Sequence, residues 1–349
     1  MRRFRWVRGV VVLGLAGAPV GFVPDMVSAV PGRARCRSIA LVANQTSGSV
    51  STIDLKTRTK DPTDIPVGGL PTGVAVTPDG KTAFVPNRES NAVSTINVNT
   101  RKKDPTDISV GGLPTGIAIT PDGKTAFVTN AASGTVSTID VKTREKDPTD
   151  IAVGTGPLVV RFTPNGKLAF VSNPGSNSVS SIDVKKRTKD PTDIPVGTFP
   201  AGMAVTPNGK TLWVANAGLP FFSPGTGGVT VSTVDVKTRK NQRDDITAGT
   251  QPTGVAFTPD GKTAFVTNFG SGTVSTIDVK TRLKNLDDIP VGQNPATVEV
   301  TPDGKTVLVA NNSSGTVSTI DVRTRTKDPT DIPVGGPLPA GIAVTPCRR

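Results

Sequence analysis

The sequence predicts an all-β fold, a seven-bladed β-propeller with four antiparallel strands per blade, and three observations carry that expectation. First, the stretch Thr125-Ala126-Phe127-Val128-Thr129-Asn130 recurs in close copies ending at Asn44, Asn87, Asn130, Asn173, Asn216, Asn268 and Asn311, 43 residues apart except for a step of 52 between Asn216 and Asn268. A period in that range marks a repeat array. Second, each repeat holds four short runs rich in Val, Ile, Thr and Phe, bounded by Gly, Pro, Asn or Asp, with no helical period. Third, the chain starts and stops within a repeat, so that its two ends make one further blade between them.

In the copy that starts at Pro114, strand A covers 116–120, strand B 125–129, strand C 135–141 and strand D 150–153. Between A and B, Thr120-Pro121-Asp122-Gly123-Lys124 reads as a tight turn, because Pro presets φ at its first position and Gly accepts the left-handed conformation that closes the hairpin. Six complete blades have strands A beginning near Gly73, Gly116, Val159, Gly202, Gly254 and Thr297. Residues 38–67 supply strands B, C and D of a seventh, and residues 341–346 supply its strand A, which hides two sheet edges and fastens the ring. The seven Asn read as turn caps bonded to their own backbone, and Asp140 and its equivalents read likewise.

Ala126-Phe127-Val128-Thr129-Asn130, followed by Val136-Ser137-Thr138-Ile139-Asp140 and then Val153-Gly154, resembles the YVTN family of β-propeller repeats from about Ser38 to Pro346. Where that family usually has Tyr, this chain has Phe84, Phe127, Phe170, Trp213, Phe265, Leu308 and Leu41, and it contains no Tyr. A bulky residue at one position of every blade implies packing between blades. The resemblance implies a secreted or envelope-associated scaffold and no single activity, since fold does not fix function.

Arg2, Arg3, Arg5 and Arg8 precede an apolar run from Gly9 to Val23, and Val27-Ser28-Ala29 offers small residues for cleavage, so residues 1–29 read as a signal peptide and the protein as secreted or extracytoplasmic. A run of that length containing Pro19 falls short of the roughly 20 residues a membrane span needs. What remains, residues 30–349, reads as a single propeller domain and a monomer without a membrane span, with net charge near +9. Most of that charge sits on the C–D hairpins, which would form a basic rim. Cys36 and Cys347 map to the same turn of the split blade, where a disulfide would replace the missing A–B hairpin.

The chain has no His, which removes the usual triads, the commonest general base and most metal sites; neither metal nor cofactor is expected. Nucleic acid is not an expected partner for an exported protein whose few aromatics sit mainly on strand B. Function should lie where the repeat breaks. The B–C loop of blade 4 is nine residues longer than the others and carries Leu219, Phe221 and Phe222, and the neighbouring D–A loops bear scarcely a charge. Strand A has Ala75, Ala118, Ala204, Ala256 and Ala343 at its central position but Arg161 in blade 3 and Glu299 in blade 6. Blades stand about 51° apart, so three steps put these two nearly opposite across the axis. They would form either a buried or water-bridged ion pair that plugs the channel or a site in which Arg161 grips a carboxylate or phosphate and Glu299 accepts from the ligand's donors. The expected function is that of a non-enzymatic binding or assembly module, recognising a protein or anionic envelope polymer through its B–C/D–A face; the alternative is an enzyme of lyase or hydrolase type acting at the channel. The mature chain is expected to begin at Val30, and an intact-mass measurement on secreted protein that shows residues 1–29 retained would refute the leader.

Overall fold

The computed structural model describes residues 38–218 and 227–346. The expected leader, both cysteines and Leu219, Phe221 and Phe222 lie outside those residues. Seven antiparallel sheets follow one another along the chain, as the repeat predicts. Ile39–Asn44 pairs with Ser49–Asp54 on one side and with Pro339–Val344 on the other, so the first and last strands close one blade. Thr345 reinforces that seam, its backbone N–H donating to the Ile39 carbonyl at 2.9 Å while its hydroxyl accepts from the Ile39 N–H at 3.0 Å.

No blade has a core of its own. The apolar side chains gather into seven clusters, each between neighbouring blades, and each takes the bulky strand-B residue of one blade. Phe127 packs with Val160, Ala169 and Val171 of blade 3, Trp213 with Val255, Ala264 and Val266 of blade 5, and Leu41 with Val74, Ala83 and Val85 of blade 1. All seven bulky residues are at most 1% exposed. Packing between blades, expected from the repeat position alone, is thus the core of the molecule.

The repeated Asn does something other than cap a turn. Its side chain is buried and runs across the sheet, Asn130 Nδ2 donating to Ser137 Oγ at 2.9 Å and Thr135 Oγ1 at 3.1 Å on strand C. In several blades that Ser donates onward to an Asp at the start of the next run, as Ser51 does to Asp64 and Ser180 to Asp193, both at 2.8 Å. The Asn also sits against the glycine of the repeated Val-Gly pair. A Cβ on Gly111 would lie 2.6 Å from Asn130 Cγ, and the same distance separates Gly154 from Asn173 and Gly292 from Asn311. Strand B thereby fixes the D–A loop that enters its own blade. The Asp140 class does close turns, Asp140 Oδ1 accepting from the N–H groups of Lys142 and Thr143 at 2.9 and 2.8 Å.

Strand D is shorter than the sequence suggests. In blades 1, 3, 6 and 7 it consists of two-residue pieces such as Thr59–Lys60 and Ile65–Pro66, both paired to strand C; blades 2 and 5 keep one such piece and a single bridge. Between the pieces an Asp-Pro pair removes a backbone donor in five of these six blades. A Lys–Asp pair four residues apart, Lys60–Asp64 at 2.7 Å for example, staples the bulge in all six. Blade 4 has Asn241 where the Lys would stand and no Pro, and there Lys240–Thr247 runs unbroken.

The C–D hairpins keep their net positive charge, and their Arg and Asp side chains also pair across the seams. The Arg at φ 55–63° in these hairpins reaches the Asp of the preceding blade: Arg101 to Asp61, Arg144 to Asp104, Arg187 to Asp147, Arg239 to Asp190 at 2.8 Å, and Arg58 back to Asp328 at 2.5 Å across the closure. Blade 4 offers Gln242 in place of the Asp, and Arg282 bonds it instead. These pairs are partly exposed and worth about 0–1 kcal/mol each.

The steric fit of Gly and Asn yields a direct test. Gly111→Ala should destabilise the fold by about 1–3 kcal/mol, read as a lowered midpoint in chemical denaturation. Combined with Asn130→Ala, it should cost less than the two single changes together, because removing the Asn makes room for the methyl group. Additive costs would show that the contact is not what limits the position.

Candidate ligand site in the axial funnel

Strands A converge on the axis, and their first halves enclose a cavity of about 910 Å³. Its walls are Val74, Ile117, Val159, Ala201, Ala296 and Ile342 with their neighbours, and its mouth is built from B–C residues Gln45, Arg88, Phe269, Asn312 and Ser313 with D–A residues Asn294 and Leu338. The cavity therefore opens on the face where the sequence placed a contact surface. Arg161 lies at its inner end. In the strand pairing Arg161 stands opposite Phe170 and Glu299 opposite Leu308, the register that puts Ala118 opposite Phe127, so the two charges occupy one depth in the ring.

They are held there by ordinary strands whose other side chains at that level are methyl groups. Blade 3 forms only Val160–Phe162 as strand A, and Phe162 meets Phe127 edge to face with centroids 5.1 Å apart, which seats that strand against blade 2. The Arg161 guanidinium donates to the Val160 carbonyl at 3.0 Å. Its nitrogens and the Glu299 oxygens are farther apart than 4.0 Å, so the two make no direct ion pair. The two groups still sense each other. Burial pushes the Glu299 carboxyl up to about 7, against the pull of the Arg161 charge. Burial likewise lowers the pKa of Arg161, and Glu299 opposes that shift.

Around the mouth the backbone is strained in a regular way. Leu70, Leu113, Phe199, Gln251, Asn294 and Leu338 all adopt φ between 49° and 65°, and blade 3 places Gly156 at the same position. Each directly precedes a Pro, which bars the right-handed helical region. A non-Gly residue there costs roughly 1–2 kcal/mol. Each of the six non-Gly residues is locked by its carbonyl, which accepts from the next B–C loop: Ala131 N–H to Leu113 at 3.0 Å, Phe269 to Gln251 at 2.9 Å, Gln45 to Leu338 at 3.1 Å. The X-Pro repetition was visible in the sequence; the left-handed turn it encodes was not read from it. Arg88, on the B–C loop of blade 1, stands at the mouth. Among the described residues no three His, Cys, Asp or Glu side chains gather as a metal-holding group.

Fold and cavity together define a seven-bladed β-propeller with an axial funnel that has Arg161 at its inner end and Glu299 at the same register across the ring. Residues 82–217 match the family described as YNCE-like beta-propeller, and residues 222–345 match the family described as Lactonase, 7-bladed beta-propeller. Both matches, with the YVTN-type repeats, support a YncE-like propeller family. The break between the two matches falls at the long B–C loop of blade 4. No curated protein matches the sequence. Among solved structures, hydrazine synthase of Kuenenia stuttgartiensis is 26% identical over 80% of this chain and 91% of its own, with a TM-score of 0.72. Two proteins described as candidate 6-phosphogluconolactonases share the fold. That of Bacteroides fragilis is 20% identical over 88% of this chain and 98% of its own, at TM-score 0.71. That of Bacteroides uniformis is 17% identical over 89% and 100%, at 0.72.

A raised carboxyl pKa has a stability signature of fixed sign. The folded state holds the Glu299 proton more tightly than the unfolded chain does, so its contribution is intact below about pH 4.5 and is lost as pH rises through 7. Glu299→Gln should therefore melt like the parent at pH 4.5 and higher at pH 8, by at most about 3 kcal/mol. Thermal denaturation at both pH values measures the difference.

Proposed function

We propose that this propeller is an exported, monomeric binding module that takes an anionic ligand into the funnel on its B–C/D–A face. The observation that carries the reading is the open Arg161–Glu299 pair. A guanidinium bonded only to its own strand's carbonyl, at the inner end of a cavity of about 910 Å³, has donors left for a carboxylate or a phosphate. Glu299, across the axis, accepts from the ligand's donor groups when ionised and stops repelling its anion when protonated. The ligand is a small anionic molecule or the anionic end of an envelope polymer.

A second reading is favoured by the lactonase-family match and by the Glu299 carboxyl held near neutrality. A carboxylate with a pKa of about 7 could take a proton from water as that water attacks a lactone carbonyl, while Arg161 stabilises the oxyanion; the ring oxygen then leaves as a hydroxyl and a hydroxy acid results. Against it stands the absence of a second acid at that depth, where the remaining blades supply Ala.

Calorimetric titration with octanoate and sulfate tests the binding reading, since neither ligand titrates between pH 6 and 8. Binding should be at least about tenfold tighter at pH 6 than at pH 8, as Glu299 takes up its proton, and should be lost in Arg161→Ala. Affinity that is flat with pH and indifferent to Arg161 would refute the site. Hydrolysis of γ-butyrolactone or gluconolactone that disappears in Glu299→Gln would decide for the enzyme.

A further inference from the structure

Arg88 and Arg161 are the charged residues that line the funnel, one at its mouth and one at its inner end, and no acid lies on the wall between them. The Arg88 guanidinium has no acidic partner among the described residues, although ion pairs are frequent elsewhere on the molecule. The wall between the two is apolar in effect. It carries Val74, Ile117, Leu158, Val159, Ile342 and several Ala. The wall threonines have spent their hydroxyls on carbonyls of the next blade: Thr72 on Thr115 at 2.7 Å, Thr115 on Pro157 at 2.8 Å, Thr253 on Pro295 at 3.0 Å, and Thr297 on Ala340.

The two cations are separated along the axis. Phe84 stands opposite Ala75, at the depth of Arg161, and Arg88 is four residues farther along the same strand and loop. Four residues of extended chain rise about 13 Å, less the reach of two long side chains. A ligand with one anionic group satisfies Arg161 and leaves Arg88 at the mouth unused. A compact polyanion would place its second charge against the apolar wall.

We infer that the funnel is built for an elongated ligand with an anionic group at each end and an apolar middle, of the chemistry of an α,ω-dicarboxylate, held by Arg161 within and Arg88 at the mouth. This rests on the funnel being a ligand site, and it adds a second anchor and a length. One carboxylate receives the two donors of the inner guanidinium, the aliphatic chain lies against Val74, Ile117, Val159 and Ile342, and the other carboxylate meets Arg88 where solvent enters.

Titration at pH 6.5 with succinate, suberate, sebacate and octanoate tests it, octanoate being the chain of suberate with one carboxylate removed. Suberate or sebacate should bind at least about tenfold tighter than octanoate, as a second charge-assisted contact worth 1.5 kcal/mol or so would give. Succinate, too short to span the wall, should gain nothing. Arg88→Ala should bring suberate down to the octanoate level, and Arg88→Lys should restore most of the difference; an unchanged melting temperature shows that both variants are folded. Equal binding of suberate and octanoate, both weakened by Arg161→Ala, would overturn the two-anchor inference while the funnel remains a site for one anion. Binding that is absent, or unaffected by Arg161→Ala, would overturn both.

Discussion

Burial of one bulky residue per blade against the next blade is the constraint on which everything else in this molecule rests. A four-stranded sheet of this size cannot cover its own apolar faces, and here the faces are covered only in pairs, Phe84 by blade 2, Phe127 by blade 3, and so around to Leu41 against blade 1. The ring must therefore be complete before any part of it is fully stable. That explains why the first and last strands are spent on one blade rather than left as two sheet edges, and why the seam is bonded at both Ile39 and Thr345.

The same geometry creates the funnel. Seven strands meeting at an axis leave room for methyl groups at their closest level, so five Ala and one each of Arg and Glu give a nearly neutral ring with a dipole across it. The pair costs the fold something, as the shifted Glu299 carboxyl shows. That cost is not recovered in a contact within the protein. A buried charge without a close partner is uncommon in a structural core and common where a ligand supplies the partner.

Much of this was legible in the sequence because repetition shows each physical demand seven times. The period fixed the blade count, the bulky strand-B position announced inter-blade packing, and the exceptions at Arg161 and Glu299 stood out against five Ala. What escaped were demands met jointly by residues far apart in the repeat. Asn130 pairs with Ser137 and leans on Gly111, a relation invisible when each is read only as a turn former. Arg144 belongs to Asp104 of the preceding blade, a pairing between blades that counting charge hairpin by hairpin does not reveal. Strand D was read as its second piece alone, because Lys and Asp four residues apart close a bulge that cuts it off from the first and that no β-propensity reports.

The left-handed residues at the mouth have a consequence for how such a molecule can change. Each of the six non-Gly residues sits in a backbone slot clamped by a hydrogen bond to the following loop and by the Pro after it, and the slot accepts Leu, Phe, Gln or Asn without altering the blade. Identity at these positions is thus uncoupled from folding. The opening behaves as a panel of six interchangeable tiles, each adjustable alone, so that the chemistry presented to an incoming molecule can drift or be redesigned while the wheel that carries it stays the same.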